Sequence, residues 1–456
     1  MIDNNLDKYY NFRKQFPVFV YHDFEAIQNE NSIDIKYHFE IEGLTHFYPA
    51  ISIPAKKMIK RKLDADLNNL IFNIGLVESI SYWKTTCSPV IKVKNYYLNK
   101  EQEGFWKKLF FNGLGEFFFL NNLNPNVNEL FEFQFTSSNP IYLSDFKLDD
   151  GYIVPIGGGK DSAVTLQTLI NGGEMVTPFI LNSRGATEST ILQAGFSMYD
   201  VLEIKRSIDA NLLNLNSEGF LNGHTPFSAL LAFLTCLIAV LSETKNIALS
   251  NESSANEPTI PGTNINHQYS KSLEFERDFR AYFRANISSE INYFSFLRPL
   301  NELQIAALLS KYDKYLSVFR SCNVGSKTDS WCGACPKCLF TFIMLSPFLE
   351  YEKIVGIFGK DLLNDMDLKE YFDELTGISA NKPFECVGTI SEVNSSILFL
   401  ISKLKNNNMP QLLKYYIEVV KDNNYSFYSE ILSFNNQHFL SENLVQLLKK
   451  SLNEIR

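Results

Sequence analysis

Apolar and polar positions follow two different periods in the first third of the chain. Residues 33–41 alternate between apolar and polar side chains, which is typical of a strand with one buried face. Residues 100–110 instead have the spacing of an amphipathic helix. Together these patterns predict an α+β domain over residues 1–145.

The middle of the chain has short, almost continuously apolar segments separated by helical ones. Residues 152–156 are predicted to form a strand covered on both faces, followed by a glycine loop and a helix over 162–170. Further strands are predicted at 176–181 and 246–250, with a buried helix over the apolar run 227–241. This alternation of strand and helix predicts a parallel, doubly wound α/β domain over 146–345.

The last part of the chain has helical periodicity, for example over 409–420 and 441–452. The asparagine-rich segment 405–408 predicts a loop between helices. We therefore expect a helical C-terminal region over residues 346–456.

Charge and composition narrow the possible partners and location. The net charge of −9 argues against a broad nucleic-acid-binding or acidic-membrane-binding surface. The run 227–241 is shorter than the roughly 20 apolar residues of a membrane-spanning helix, and the polar start lacks the apolar segment of a signal peptide. The expectation is a cytoplasmic protein without nucleic-acid or membrane partners.

The glycine loop before the helix at 162–170 is the strongest candidate for an anion-binding site. Consecutive glycines let backbone N–H groups approach a ligand, and the start of a helix favours negative charge. The loop and the polar side chains that follow it are Gly157, Gly158, Gly159, Lys160, Asp161 and Ser162. Lys160 adds a positive charge, Ser162 a hydroxyl, and Asp161 a carboxylate that suits Mg²⁺.

The loop fits one known phosphate-binding signature better than others. It lacks the Gly-x-x-x-x-Gly-Lys-Ser/Thr pattern of the P-loop and the Gly-x-Gly-x-x-Gly pattern of dinucleotide-binding proteins. It resembles the Ser-Gly-Gly-x-Asp-Ser signature of PP-loop pyrophosphatases, with Gly157 in place of the serine. That resemblance implies ATP cleavage between the α and β phosphates and adenylation of a substrate oxygen. A purely structural glycine turn is the alternative.

Four of the seven cysteines lie close together in sequence, at Cys322, Cys332, Cys335 and Cys338. Cysteines separated by two other residues can direct two thiolates at one ion, and four thiolates satisfy tetrahedral Zn²⁺. An iron–sulfur cluster and a set of metal-free buried cysteines are the alternatives. A structural zinc site is the prediction. The same spacing resembles the zinc site of 7-cyano-7-deazaguanine synthase, another PP-loop enzyme.

Polar segments from all three regions resemble the UDP-N-acetylmuramoyl-L-alanyl-L-glutamate epimerases. In the first region these segments are 73–78, 81–84, 105–106 and 113–117. Further along they are 223–229, 250–256, 266–272 and 382–388. The resemblance covers most of the chain, whereas the resemblance to the deazaguanine synthase covers only the middle domain.

The epimerase resemblance implies a specific reaction. ATP would adenylate the α-carboxylate of the terminal L-Glu of UDP-MurNAc-L-Ala-L-Glu, which makes the α-C–H acidic enough for a side-chain base. Reprotonation from the other face and hydrolysis would give D-Glu, AMP and diphosphate, as a step of peptidoglycan precursor synthesis. Activation is needed because a proton beside an ionised carboxylate is difficult to remove.

Candidate proton-transfer groups lie in the same polar segments. His224 and His267 have the side chain best suited to acid–base chemistry near neutral pH, although either can equally be a structural histidine. Cys386 is an isolated thiol and a candidate second base, with a small buried apolar role as its alternative.

Other charged side chains are candidates for binding. Arg184, which follows the second predicted strand of the middle domain, is the preferred partner for phosphate or carboxylate, ahead of Lys271 and Arg277. Glu252 and Glu257 are candidate Mg²⁺ ligands or ordinary loop carboxylates.

Two rival functions share these motifs. One is a deazaguanine synthase-like or tRNA-modifying PP-loop enzyme, against which the acidic balance and the terminal regions argue. The other is a nucleotide-binding regulatory protein with a structural zinc and no turnover. Release of AMP and pyrophosphate separates the regulatory protein from both enzymes.

Overall fold

The computed structural model describes residues 5–260, 262–263, 265–325, 328–404, 409–420 and 425–454. These residues form two compact units, each built from separate stretches of chain. The first unit takes the described residues of 1–150, 202–247 and 264–292, and the second those of 151–201, 248–263 and 293–456. The domain boundaries expected near residues 145 and 345 stay a prediction.

The strands in the described residues are numbered in chain order. They are β1 (Val18–Gln28), β2 (Ser32–Ile41), β3 (Thr45–Phe47), β4 (Ala50–Pro54), β5 (Val90–Val93), β6 (Glu132–Phe135), β7 (Asp149–Pro155), β8 (Val176–Leu181), β9 (Leu202–Ser207), β10 (Thr244–Leu249) and β11 (Asn292–Ser295).

The helices in the same residues are numbered in the same way. They are α1 (Asn5–Gln15), α2 (Asn68–Trp83), α3 (Lys100–Gly113), α4 (Gly115–Leu120), α5 (Lys160–Asn171), α6 (Gly185–Gln193), α7 (Ala210–Ser217), α8 (Phe227–Leu241), α9 (Leu273–Asn286), α10 (Glu302–Lys311), α11 (Pro336–Leu345), α12 (Tyr351–Phe358), α13 (Lys369–Thr376), α14 (Ile390–Leu404), α15 (Gln411–Val419), α16 (Phe427–Leu432) and α17 (Glu442–Asn453).

The first unit is built on a mixed sheet with the order β9-β4-β2-β1-β5-β6 and β3 beside β2. The pairs β1–β2, β2–β3, β2–β4 and β4–β9 are antiparallel, while β5 is parallel to both β1 and β6. The alternation predicted for 33–41 is confirmed, because β2 buries every second side chain. The amphipathic helix predicted at 100–110 is α3, and the buried helix predicted at 227–241 is α8.

The second unit contains the predicted strand–helix–strand arrangement. β7 and β8 pair in parallel, from Tyr152 opposite Val176 to Pro155 opposite Phe179. Helix α5 joins the two strands, as the sequence predicts, and its C-cap is Gly172. β10 begins two residues earlier than predicted, at Thr244. The α/β fold class is thus confirmed for the described residues.

Helices dominate the part of the second unit that follows α10. The helix predicted over 409–420 corresponds to α15, and the helix predicted over 441–452 corresponds to α17. The loop predicted at 405–408 lies outside the described residues. Within the described part of the chain, no helix combines the length and apolar character needed to cross a membrane.

Candidate active site

The glycine loop of the second unit lies between β7 and α5 and approaches the start of α6 closely. Gly158 has a φ of +79°, in the left-handed region that favours glycine. A Cβ atom at Gly158 would lie 2.9 Å from the carbonyl carbon of Ala186, so a larger residue would push the two segments apart. The Gly158 carbonyl accepts a 2.7 Å hydrogen bond from the Arg320 N–H. Glycine is therefore required here by both conformation and space.

Helix α5 begins at Lys160 with Gly159 as its N-cap residue, so its first N–H groups lie at the end of the glycine loop. The Lys160 N–H donates to Ser321 Oγ at 3.3 Å, and Ser162 Oγ donates to the Gly159 carbonyl at 3.1 Å. Gly157 is exposed, and a Cβ there would meet no described atom within 4 Å. Contacts with neighbouring segments thus fix the loop at Gly158 and Lys160, whereas Gly157 has space beside it.

Lys160 is the centre of a buried charge group. Its ammonium contacts the carboxylates of Asp161 and Glu302, and only 3% of its side chain is exposed. Burial lowers the pKa of Lys160, but the charges of Asp161, Glu302 and Glu252 more than offset burial and raise this pKa above its ordinary value. Burial raises the pKa of Glu302, and the charge of Lys160 opposes that rise. Lys160 is therefore a fixed positive charge beside the loop.

Two of the polar segments noted in the sequence are anchored near this charge group. Glu252 is buried, and its carbonyl accepts a 2.5 Å hydrogen bond from the buried Arg298. Glu257 forms an ion pair with Lys382. A Cβ at Gly388 would lie 3.0 Å from Glu302 Cγ, so the 382–388 segment packs against the residue that contacts Lys160.

Cys386 and Arg184, both predicted to be functional, belong to the second unit with the glycine loop. Cys386 is half-buried within the 382–388 segment. Arg184 is the exposed N-cap residue of α6, two positions before Ala186, and thus lies at the end of α6 that approaches Gly158. The Ala186 N–H in turn donates to Asp329 Oδ1 at 2.8 Å.

The four clustered cysteines of the second unit converge on one point. Their sulfur atoms all lie within 4.8 Å of one another. Cys322 Sγ and Cys335 Sγ are 3.9 Å apart, and Cys332 Sγ and Cys338 Sγ are 3.7 Å apart. Four sulfurs bound at about 2.3 Å in a tetrahedron would be about 3.8 Å apart, so the spacing fits a single ion. The cluster can hold a metal ion such as zinc.

His224 and His267, which the sequence singles out separately, meet in the first unit at a shared carboxylate. Glu116 Oε2 contacts His267 Nδ1 and lies 3.3 Å from His224 Nδ1. The two imidazole centroids are 4.6 Å apart, and all three side chains are partly buried. A carboxylate at Nδ1 orients an imidazole and stabilises its protonated form, which leaves Nε2 to exchange protons.

Tight packing of three chain segments brings Glu116 to the two histidines. Glu116 lies in the first turn of α4, just after Gly113. A Cβ at Gly113 would lie 2.8 Å from the ring of Pro226, and a Cβ at Gly223 would lie 3.2 Å from the ring of Phe117. Small residues at these positions let the segment before α8 lie directly against α4.

Lys84 is a further polar residue of this region, and nearly all of its side chain is buried. Its ammonium donates to the carbonyl of Gly223, the residue before His224. Burial lowers the pKa of Lys84 to about 8, although nearby Cys87 and Glu116 favour the charged form. Lys84 therefore helps to fix the backbone that carries His224.

Comparison with known proteins gives a consistent match over most of the chain. Residues 11–296 match the family model of the MurL N-terminal domain, and residues 316–426 match that of the MurL C-terminal domain. The chain belongs to the MurL family. The resemblance expected from the polar segments is thus confirmed.

Three curated relatives carry the name UDP-N-acetyl-alpha-D-muramoyl-L-alanyl-L-glutamate epimerase. The relative from Xanthomonas oryzae is 33% identical over 72% of this chain and 74% of its own length. The relative from Micromonospora is 35% identical over the same shares of the two chains. The relative from Salinispora tropica is 39% identical over 52% of each chain.

Sequence reasoning missed three residues of this MurL family member. Glu116 and Lys84 lie inside the polar segments that carry the family resemblance, but the sequence alone gives neither residue a role. Glu302 lies between the two matched family domains, at the start of α10. Lys271 and Arg277, considered as binding residues, belong to the first unit with the histidines.

Proposed function

We propose that the protein epimerises the terminal L-Glu of UDP-MurNAc-L-Ala-L-Glu to D-Glu at the expense of ATP, which is cleaved to AMP and diphosphate. The observation that carries this proposal is the match to named epimerases over 72% of the chain. The reaction would supply a D-Glu-containing precursor for peptidoglycan.

The glycine loop and α5 are assigned to ATP as a PP-loop. Backbone N–H groups at the start of α5, the fixed charge of Lys160 and the hydroxyl of Ser162 together suit the phosphates of a nucleotide. The space beside Gly157 and the close approach at Gly158 support a phosphate cradle over a simple turn. Arg184, at the start of α6, is assigned to an anionic group of ATP or substrate.

Adenylation and proton transfer would then follow in order. The α-carboxylate oxygen of L-Glu attacks the α-phosphorus of ATP, and diphosphate leaves. Asp161, with Glu252 as a second carboxylate, would hold the Mg²⁺ that offsets the phosphate charge. A base removes the α-proton of the acyl adenylate, a proton is returned to the opposite face, and water releases AMP and the D-Glu product.

The His224–His267 pair is assigned to the proton transfer. Both imidazoles contact one carboxylate through Nδ1, so Glu116 can stabilise the proton that either ring takes up. Cys386 remains the proposed second base, because the deprotonated form of its thiol can remove a proton from carbon. Lys84 is a positioning residue that acts on His224 through the carbonyl of Gly223.

A structural Zn²⁺ is proposed for the four-cysteine cluster. Sulfur separations of 3.7 and 3.9 Å support one tetrahedral ion over a larger iron–sulfur cluster, and four thiolates leave no position for substrate. None of the seven cysteines is in a disulfide, which favours a reducing compartment such as the cytoplasm. Metal analysis should give zinc without iron or sulfide, and Cys335→Ser should lower the bound zinc. Stoichiometric iron and sulfide would contradict this assignment.

The proposed function predicts a strict dependence on ATP. Purified protein should convert UDP-MurNAc-L-Ala-L-Glu to the D-Glu product only with ATP and Mg²⁺, with AMP formed rather than ADP. Chromatography of nucleotides and chiral analysis of the released glutamate would measure both products. Epimerisation without ATP, or formation of ADP, would contradict the adenylation mechanism.

A further inference from the structure

Three of the six histidines of the chain lie together on the sheet of the first unit, outside the polar segments that support the proposed function. They are His22 on β1, His38 on β2 and His46 on β3. The pairing of β1 with β2 shifts register between Tyr21 and Asp23, so His22 is the extra residue of a β-bulge. A bulge changes the direction of the side chain it carries. Here the His22 ring stacks on the ring of His38 on β2.

Ring nitrogens of these three histidines lie close together. One ring nitrogen from each side chain lies within 4.8 Å of the other two. His38 Nε2 and His46 Nδ1 are 3.0 Å apart, and the His22 and His38 ring centroids are 4.1 Å apart. Two imidazole nitrogens bound to one ion at about 2.0 Å in a tetrahedron lie about 3.3 Å apart. The His38–His46 pair is therefore already close to ligand spacing.

Carboxylates lie next to the same rings. Glu40 Oε2 is 2.7 Å from His22 Nε2, and Glu40 Oε1 is 4.0 Å from His46 Nε2. Asp23 Oδ1 is 3.9 Å from His38 Nδ1. Metal-binding histidines in proteins are usually oriented by a carboxylate at the nitrogen that does not bind the ion. Carboxylates lie on the far side of the His38 and His46 rings at these longer distances, where they add negative charge without a direct hydrogen bond.

The cluster is partly enclosed and offers nitrogen ligands. Neutral imidazole is the form that binds a metal. The side chain of His46 is 49% exposed while that of His22 is 16% exposed, so an ion could enter from one side of a partly enclosed cluster.

We propose that His22, His38 and His46 form a second metal site, which binds a borderline divalent transition metal such as Zn²⁺ or Ni²⁺. Glu40 either completes the coordination or orients His22 and His46. Imidazole is the ligand these metals share, whereas Mg²⁺ prefers oxygen. The site offers imidazole nitrogen, whereas the four-cysteine cluster offers only sulfur. The proposal of this site does not depend on the proposed epimerase reaction.

Nickel titration of the full-length protein with one equivalent of Zn²⁺ bound tests this site, because thiolates favour Zn²⁺ and the three imidazoles then stay open to Ni²⁺. Isothermal titration calorimetry should show Ni²⁺ bound by the wild type, with affinity lowered on the order of tenfold to a hundredfold or more in His46→Ala and His38→Ala. His438→Ala is the matched control, because His438 is the one histidine outside both histidine clusters, and it should bind Ni²⁺ like the wild type. His46→Ala is the safer variant for folding, since its side chain is the most exposed.

Two outcomes would overturn the site. One is a wild type that binds no Ni²⁺ although it carries only one equivalent of Zn²⁺. The other is Ni²⁺ binding that is unchanged in His38→Ala and His46→Ala but lost in His267→Ala, which would place the metal at Glu116, His224 and His267 instead. Circular dichroism and thermal unfolding of each variant confirm that a lost affinity is not a lost fold.

Discussion

The glycine loop of the second unit and the histidine pair of the first unit differ in how their residues are gathered. The loop residues are contiguous and follow one strand directly, so a single strand-to-helix turn gathers them. The histidine pair depends on three segments, and its ends at Glu116 and His267 are 151 residues apart. Contiguity makes the first site visible in the sequence, whereas only packing reveals the second.

The two regions also differ in their electrostatics. Lys160 is buried among carboxylates that raise its pKa, so its charge stays constant near neutral pH. The two imidazoles instead share one carboxylate and remain partly exposed, which suits repeated uptake and release of a proton. The difference fits the proposed assignment of nucleotide binding to the loop and proton exchange to the histidine pair.

The largest expected effect is on Lys160. Lys160→Met should reduce both pyrophosphate release and epimerisation by about 10³-fold, because a fixed charge in a site shielded from water contributes strongly to the transition state. Coupled-enzyme assays of pyrophosphate and chiral analysis of glutamate measure the two effects. Lys311→Met, which changes an exposed lysine at the end of α10, should have no effect.

A control on folding is needed for this variant, because Lys160→Met leaves Glu302 as a buried carboxylate without its cation. The double variant Lys160→Met/Glu302→Gln removes both charges and should unfold closer to the wild-type temperature while staying inactive. Wild-type pyrophosphate release in either variant would contradict the role of Lys160.

Variants of the histidine pair should separate the two half-reactions. His224→Ala and His267→Ala should each reduce epimerisation by about 10²-fold, at the low end of general acid–base catalysis. Substrate-dependent pyrophosphate release should persist, because the glycine loop is unchanged. His438→Ala is the control. Equal losses of pyrophosphate release and epimerisation would contradict separate roles for the glycine loop and the histidine pair. Unchanged epimerisation would show that neither histidine takes part in the mechanism.

Cys386 tests whether the second unit also takes part in proton exchange. If its thiolate is the second base, Cys386→Ala should slow epimerisation about tenfold or more, with pyrophosphate release retained. The rate of α-hydrogen exchange with solvent, followed from the L-Glu and from the D-Glu substrate, should fall unequally in the two directions. Cys236→Ala, a buried cysteine of α8, is the control for loss of a thiol. An unchanged exchange rate would leave Cys386 a structural residue.

The smallest effect concerns Lys84 and depends on pH. Its pKa falls from 10.5 in the unfolded chain to about 8 in the folded protein, so the unfolded chain binds more protons between these values. The free energy of unfolding should therefore rise with pH between about 8 and 10.5, by at most about 3 kcal/mol from this group. Lys84→Met should flatten that rise, as measured by urea unfolding at pH 8 and pH 10.

The matched control for this experiment is Lys94→Met, an exposed lysine of the same unit. It should keep the wild-type dependence on pH. The epimerisation rate of Lys84→Met should fall several-fold, since the Gly223 carbonyl loses its donor and His224 loses part of its support. The same slope in Lys84→Met and the wild type would contradict a depressed lysine pKa.

Local patterns in the sequence predict a strand or helix well where its bounds depend on that segment alone. The bounds of β8 and α8 are as predicted, because continuous apolar runs end at clear polar or glycine positions. The interleaving of three chain stretches into each unit is not visible in such patterns, since it depends on contacts between distant segments.

The candidate site shows the same limit. The glycine loop is a contiguous motif and the four cysteines are close in sequence, and the four sulfur atoms lie within 4.8 Å of one another. Glu116, Lys84 and Glu302 are single charged residues, and such residues usually lie on the surface. Their roles follow only from burial beside distant partners: Glu302 contacts Lys160, and Lys84 contacts Gly223.

One incubation tests the central claim that the protein adenylates its substrate and then exchanges the α-proton. The purified protein would be mixed with ATP, Mg²⁺ and UDP-MurNAc-L-Ala-L-Glu in D₂O, and pyrophosphate, glutamate chirality and α-deuterium would be followed together. The proposed mechanism predicts pyrophosphate only with the dipeptide substrate, and D-Glu that carries deuterium at the α-carbon. Pyrophosphate that is absent or independent of substrate, with glutamate unchanged, would contradict it.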